Sequence, residues 1–271
     1  MLIPEPCFVC YAPIVTMAGG VPVPIVTRAE DQFRLTPQLL KAAITPKTKL
    51  LVLPFPNNPT GAVMGREDLE AIAQVLRDTE IVILSDEIYA ELTYGDKHVS
   101  IASIEGMYER TVLVSGFSKA YAMTGWRLGY ACGDPSVIAA MTKIHQYAIM
   151  SAPTTSQHAA AEALRNGDAD IERMKNEYNY RRRVILEGLR DMGLDCFEPK
   201  GAFYVFPSIQ RTGLSSNDFC NKLLQDQKVA VVPGDAFGKS GEGFVRCSYA
   251  YSIDKINEAL NRIEHFVRKY I

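Results

Sequence analysis

The sequence predicts an α/β fold: a mostly parallel sheet with helices on both faces, followed by a smaller C-terminal α+β unit. Three observations carry that prediction. Short apolar runs, Lys49-Leu-Leu-Val-Leu, Ile81-Val-Ile-Leu and Thr111-Val-Leu-Val, are separated by stretches of helical periodicity, and strands that are apolar on both faces belong to sheets covered on both sides. After Asp134-Pro135 the pattern turns wholly helical. Beyond Gly193 short strands and helices alternate again.

Each element has its own justification. Cys7 to Ala18 reads as a short helix, and Val21 to Val26 as a strand whose prolines suit a sheet edge. Thr36-Pro37 opens a helix to about Ile44, with threonine as N-cap and proline in the first turn. Pro54-Phe-Pro-Asn-Asn-Pro-Thr-Gly61 is a turn-rich loop. Glu67 to Arg77 is an amphipathic helix with Leu69, Ile72, Ala73 and Leu76 on one face. The strand at Ile81 ends in Ser85-Asp86-Glu87, and Leu128-Gly-Tyr-Ala-Cys is a further strand. Helices follow over Ser136 to Met150, Ser156 to Arg165 and Asp168 to Met192, the last capped by acids and broken at Gly193. Gly201 to Phe206 is a strand, Asn217 to Asp226 a helix, Val229 to Val232 and Phe244 to Ser248 strands, and Ile253 to Tyr270 a helix. A boundary near Arg181 would divide a large domain, 1–180, from a small one, 181–271.

Composition narrows the function. A chain of 271 residues, 47% hydrophobic and 22% charged, is ordinary for a globular protein with a substantial core. A net charge of −2 gives no electrostatic reason to expect nucleic acid or an anionic membrane as partner. No apolar stretch approaches the length that spans a bilayer. The opening Met1-Leu-Ile-Pro-Glu-Pro lacks the charged and apolar regions of a secretory leader, so a cytoplasmic location is expected. Six scattered cysteines do not make a disulfide scaffold. Cys7 and Cys10 form a C-x-x-C without a second ligand pair, and the four histidines do not cluster, so no metal site is expected. Gly234-Asp-Ala-Phe-Gly238-Lys239-Ser240 hints at a phosphate loop but has one residue too few between its glycines.

The chemistry centres on Lys119, in Ser115-Gly-Phe-Ser-Lys119-Ala-Tyr-Ala-Met-Thr-Gly-Trp-Arg127-Leu-Gly129. A strand followed by a tight turn puts its amine at the C-terminal edge of a sheet, where open α/β folds bind ligands. A lysine among small and apolar residues suits Schiff-base chemistry with a carbonyl cofactor. Asn58, Asp86 and Arg246 also follow strands or lie in adjacent loops. Taken singly, each reads as a turn residue, a cap or a surface ion-pair partner.

Four tracts taken together resemble the fold type I, class I/II aminotransferases that use pyridoxal 5'-phosphate: Asn57-Asn58-Pro59-Thr60-Gly61, Ser85-Asp86-Glu87-Ile88-Tyr89, Ser118-Lys119 with Gly125-Trp126-Arg127-Leu-Gly129, and Phe244-Val-Arg246-Cys-Ser. The resemblance implies a role for each residue. Lys119 would hold the cofactor and move the substrate α-proton. Asp86 would pair with the protonated pyridine nitrogen. Asn58 and Tyr89 would hydrogen-bond the phenolic oxygen, and Phe8 would stack on the ring. Arg127 and Ser118 would bind the phosphate, and Arg246, together with Asn58, would bind the substrate, the arginine gripping its carboxylate. A homodimer acting on an α-amino acid and a 2-oxo acid is implied, with aspartate, aromatic and diaminopimelate types nearest. A carbon–sulfur β-lyase would use the same residues, and a non-catalytic sensor or binding fragment is a third alternative.

Two departures from the family's pattern stand out. The family has a long further portion ahead of the position matching Met1. It includes a strand, a Gly/Ser-rich phosphate turn at a helix N-terminus and an aromatic residue that crosses the dimer. Its absence leads to the expectation of a fragment, which would bind cofactor weakly and be inactive alone. Gly116 also stands where some members carry a phosphate-binding serine.

Overall fold

The computed structural model describes residues 1–271. Its larger sheet has six strands: β1 (Leu2–Glu5), β2 (Val23–Val26), β3 (Leu50–Leu53), β4 (Val82–Asp86), β5 (Thr111–Gly116) and β6 (Gly129–Cys132). They lie in the order β2-β1-β3-β4-β5-β6. All neighbours run parallel except β5 and β6. The apolar runs at Lys49, Ile81 and Thr111 thus become the three adjacent strands β3, β4 and β5. β1 was not anticipated, because Pro4 and Pro6 argue against a strand inside a sheet. It pairs along its whole length with β2, but with β3 only through Leu2, opposite Leu51. Pro4 therefore disrupts no full ladder.

Helices α1 (Tyr11–Met17), α2 (Pro37–Ala43) and α3 (Arg66–Leu76) link the parallel strands. Thr36 caps α2 by accepting from Leu39 N at 3.3 Å, and Leu69, Ile72, Ala73 and Leu76 of α3 are buried. α1 starts later than its sequence suggests. The Cys7 amide donates instead to Phe237 O at 3.0 Å, which holds that segment off the helix. α4 (Pro135–Ala148), α5 (Thr154–Asn166) and α6 (Asp168–Asp191) follow. At the start of α6, Gly167 rather than an acid occupies the cap. Asp168 and Asp170 lie in the first turn, where negative charge favours the helix dipole.

The smaller sheet is antiparallel, with β7 (Tyr204–Val205), β8 (Val232–Pro233) and β9 (Val245–Ser248) in the order β7-β9-β8. It packs with α6, α7 (Ser216–Gln227) and α8 (Ile253–Val267) around Leu189, Phe219, Tyr249 and Phe266. β7 is shorter than the predicted Gly201–Phe206 run. Its approach is drawn toward the large sheet, with Ala202 N donating to Leu92 O and Lys200 O accepting from Tyr94 N. The first core, under β1, β3 and β4, also takes in Phe206 and Phe237 from the C-terminal part. Phe206 stacks on Phe244 at 5.0 Å, and Phe33 meets Phe197, Phe206 and Phe244 edge-on. No helix is long and apolar enough to cross a membrane.

Candidate active site

Because β1, β3, β4 and β5 run the same way, their C-terminal ends share one edge. The residues that follow them converge there on a cleft of about 410 Å³ lined by Phe8, Tyr11, Asn58, Asp86, Tyr89, Val114, Lys119, Tyr204 and Arg246, among others. Each is delivered by local chain chemistry. After β3 the buried Asn57 ties the turn: its Oδ1 accepts from Thr60 N and Thr60 Oγ1, and its own amide N–H donates to Ala62 O. Gly61 (φ +71°) closes the turn, and its carbonyl accepts from both Lys200 N and Gly201 N. A Cβ there would fall 2.3 Å from Pro199 Cβ, so the position admits only glycine. This packing leaves Asn58 facing the cleft and sets the segment leading to Tyr204 beside it.

Asp86 is the last residue of β4. Its Oδ2 accepts from the Tyr11 hydroxyl at 2.6 Å and its Oδ1 from Ile88 N at 3.2 Å. Burial raises its pKa, and those two neutral donors offset the rise only in part. The carboxylate therefore favours a cationic partner on its cleft side. Burial also pushes the Tyr11 phenol well above its ordinary range, with the Asp86 charge adding to the effect.

Period-two alternation sends Ser85 and Glu87 to the opposite face of β4 from Asp86. There Glu87 accepts from Ser85 Oγ at 2.8 Å and Ser100 Oγ at 2.6 Å, and it lies 2.8 Å from His98 Nε2. Burial alone would raise Glu87, but the His98 and serine bonds outweigh it and hold the carboxyl below the usual range.

Lys119 follows β5 by three residues. Phe117 anchors its turn, with its carbonyl accepting from Tyr121 N and Met123 N. The half-buried amine lies 5.8 Å from the Tyr89 ring centroid and 5.6 Å from that of Phe203. Burial first, then the charges of Arg246 and Arg127, lower its pKa. That favours a neutral, nucleophilic amine.

Arg246 reaches the cleft from β9. Its Nη1 donates to Asn58 Oδ1 at 2.9 Å, and its guanidinium lies 4.5 Å from the Tyr204 ring and 4.9 Å from that of Phe237. Nε is buried without a hydrogen-bond partner within the protein. Such a donor calls for an acceptor, which a carboxylate supplies.

Six of the eight sequence-derived residues therefore line one cleft: Phe8, Asn58, Asp86, Tyr89, Lys119 and Arg246. Ser118 directly precedes Lys119 and Arg127 lies further along the same loop, but both are outside the lining. Arg127 is exposed, with φ +52° and its Nη1 on Thr124 O. Tyr11 and Tyr204 were missed. Tyr11 is the first residue of α1 and follows Phe8 by three residues, but Phe8 lies outside the helix, so no periodicity in the sequence ties the two. Tyr204 pairs with Ser248; as Arg246 lies two residues from Ser248, it shares that face diagonally with Tyr204. No cluster of His, Cys, Asp or Glu suits a metal ion.

These residues fit the ring of pyridoxal phosphate. A half-buried carboxylate in need of a cation faces the same cleft as an amine of lowered pKa, with an aromatic side chain and amide and phenol donors around them. Residues 1–263 match the family described as Aminotransferase class I and II. The chain is 52% identical over 269 residues to the putative aminotransferase YugH of Bacillus subtilis, covering 99% of this chain and 70% of that protein. It is 48% identical over 272 residues to an aspartate aminotransferase of Pyrococcus abyssi, with the same coverages. The crystal structure of an aromatic aminotransferase from Pyrococcus horikoshii superposes with a TM-score of 0.97 at 47% identity, covering all of this chain and 74% of that one.

Proposed function

This chain belongs to the aminotransferase class I and II family, and we propose that the cleft residues divide the work of amino transfer among them. It is a pyridoxal-phosphate-dependent aminotransferase. The bound cofactor supplies an electron sink for the charge that develops on the substrate α-carbon. Asp86, oriented by Tyr11, keeps the ring nitrogen cationic. Phe8 covers the ring. Tyr89 donates to the phenolic oxygen. So does the Asn58 amide, whose Oδ1 is engaged by Arg246 so that its NH2 is left to donate. Lys119 would anchor the cofactor, and once the substrate amine displaces it, the freed Nζ would take the proton that leaves the substrate α-carbon. Arg246 holds the α-carboxylate, satisfying its buried Nε. Ser118 and Arg127 serve the phosphate end.

We read the substrate as an acidic or aromatic α-amino acid exchanging with a 2-oxo acid, as the names of the relatives suggest. The working form in this reading is a homodimer. Residues 1–180 carry the cofactor, and residues 181–271 carry the carboxylate grip. An exposed apolar stripe supports the dimer: Met141, Ile144 and Tyr147 along α4, continued by Ile149 and Met150.

One observation carries the site assignment: Lys119 and Asp86 line the same small cleft with Arg246, which arrives from the far end of the chain. Adding pyridoxal phosphate to the purified chain should give a visible absorption band that Lys119→Ala abolishes. Amino acid alone should then bleach the band without releasing ammonia. Identical spectra for both chains would remove Lys119 from its role, and release of pyruvate and ammonia from cystathionine would mark a lyase instead.

A further inference from the structure

Tyr204 stands between the two halves of the cleft. Its hydroxyl oxygen lies 3.0 Å from that of Tyr89, its ring meets the Tyr89 ring edge-on at 6.0 Å, and the Arg246 guanidinium lies 4.5 Å from its ring centroid. Tyr89 and Tyr204 are both buried. Burial, ahead of the neighbouring Tyr204 hydroxyl, pushes Tyr89 well above the ordinary phenol range, so it keeps its proton.

Each phenol has one proton to give. If Tyr89 gave its proton to Tyr204, it would have none for the cleft. If Tyr204 gives to Tyr89, the Tyr89 proton is free to point at a ligand oxygen. A bond to an anionic oxygen is roughly twice as strong as one between neutral groups, so an anion in the cleft decides the direction. We propose that Tyr204 is a positioning residue that donates to Tyr89 and so aims and strengthens Tyr89's hydrogen bond to the cofactor's phenolic oxygen. This inference rests on the reading of Tyr89 given above.

The test uses the intact chain loaded with pyridoxal phosphate, and it reads the pH midpoint of the visible band rather than activity. A donor to the phenolic oxygen stabilises its anion, so removing the donor raises the midpoint. Tyr89→Phe should raise it. Tyr204→Phe, which deletes one oxygen and keeps the ring under Arg246, should raise it by about 10–30% of that shift, the share a second bond adds to a first in a chain. In a Tyr89→Phe background the Tyr204→Phe shift should vanish, because the two act in series. A Tyr204→Phe midpoint equal to that of the unsubstituted chain, or a shift that persists without Tyr89, overturns the proposal. No shift for Tyr89→Phe, or no visible band in the unsubstituted chain, overturns the underlying reading of the site and the proposal with it.

Discussion

Arg246 Nη1 donates to Asn58 Oδ1 at 2.9 Å, a bond that joins residues 188 positions apart. It ties the loop after β3 to strand β9 and fixes which way the Asn58 amide points. The guanidinium can do this and still present its remaining N–H groups to a carboxylate, because its donors form a planar fork. An ammonium cannot. Arg246→Lys should therefore raise KM for the amino acid by the equivalent of about 1.5–3 kcal/mol, the worth of a hydrogen bond to a charged group. Steady-state kinetics with separate KM and kcat would check this, and an unchanged KM would refute the grip.

Asp86 and Tyr11 give a pH-dependent signature. Burial raises the Asp86 pKa in the folded chain. The folded state thus holds a proton that the unfolded state has released, and stability falls as pH rises from the ordinary aspartate value, near 3.9, through the folded one. Asp86→Asn should remove that falling component from urea midpoints measured across the range. Tyr11→Phe deletes a donor that lowers the pKa, so it should shift the falling component to higher pH. An identical pH profile for all three chains would contradict this.

Glu87 has the opposite sign. Burial alone would raise it, but its hydrogen bonds to His98 and the serines hold its carboxyl below the usual glutamate range. The stability it contributes is present above the ordinary glutamate range and is lost as pH falls through the folded value. Glu87→Gln should destabilise the chain near neutrality by about 1.5–3 kcal/mol and flatten the acid limb. Urea denaturation at several pH values measures both effects.

Gly116 faces Gly129 across the β5–β6 ladder. A Cβ on Gly116 would come within 2.8 Å of Gly129 Cα and 3.0 Å of Leu128 O, both of them backbone. The serine that some family members carry here would crowd β6 in this chain. Gly116→Ala should cost about 1–3 kcal/mol, the usual penalty of overpacking, read as a lowered urea midpoint at an unchanged slope.

Much of this was legible in the sequence, for identifiable reasons. Continuous apolar runs reported β3, β4 and β5 because both faces of those strands are covered. The tracts around Asn58, Asp86, Lys119 and Arg246 pointed to residues that line one cleft, because together they resemble the motifs of one family although each alone reads as a turn, cap or ion-pair residue. The central strand β1 stayed hidden because Pro4 and Pro6 mask it, and only the three-dimensional register shows that a single residue of β1 pairs with β3. Tyr11 and Tyr204 were missed because tyrosines in apolar surroundings read as ordinary core. Their roles depend on which hydroxyl meets which oxygen, and that is a matter of packing across elements.

The aromatic group of Phe33, Phe197, Phe206 and Phe244, with Phe237 beside it, has a mechanical consequence. It rivets the sheet that bears Arg246 onto the sheet that leads into Lys119, so prising them apart would break close ring packing all at once. Calorimetry should accordingly register a single melting event shared by both layers, and any yielding to a bound ligand should fall to the outer helices while Arg246 and Lys119 keep their spacing.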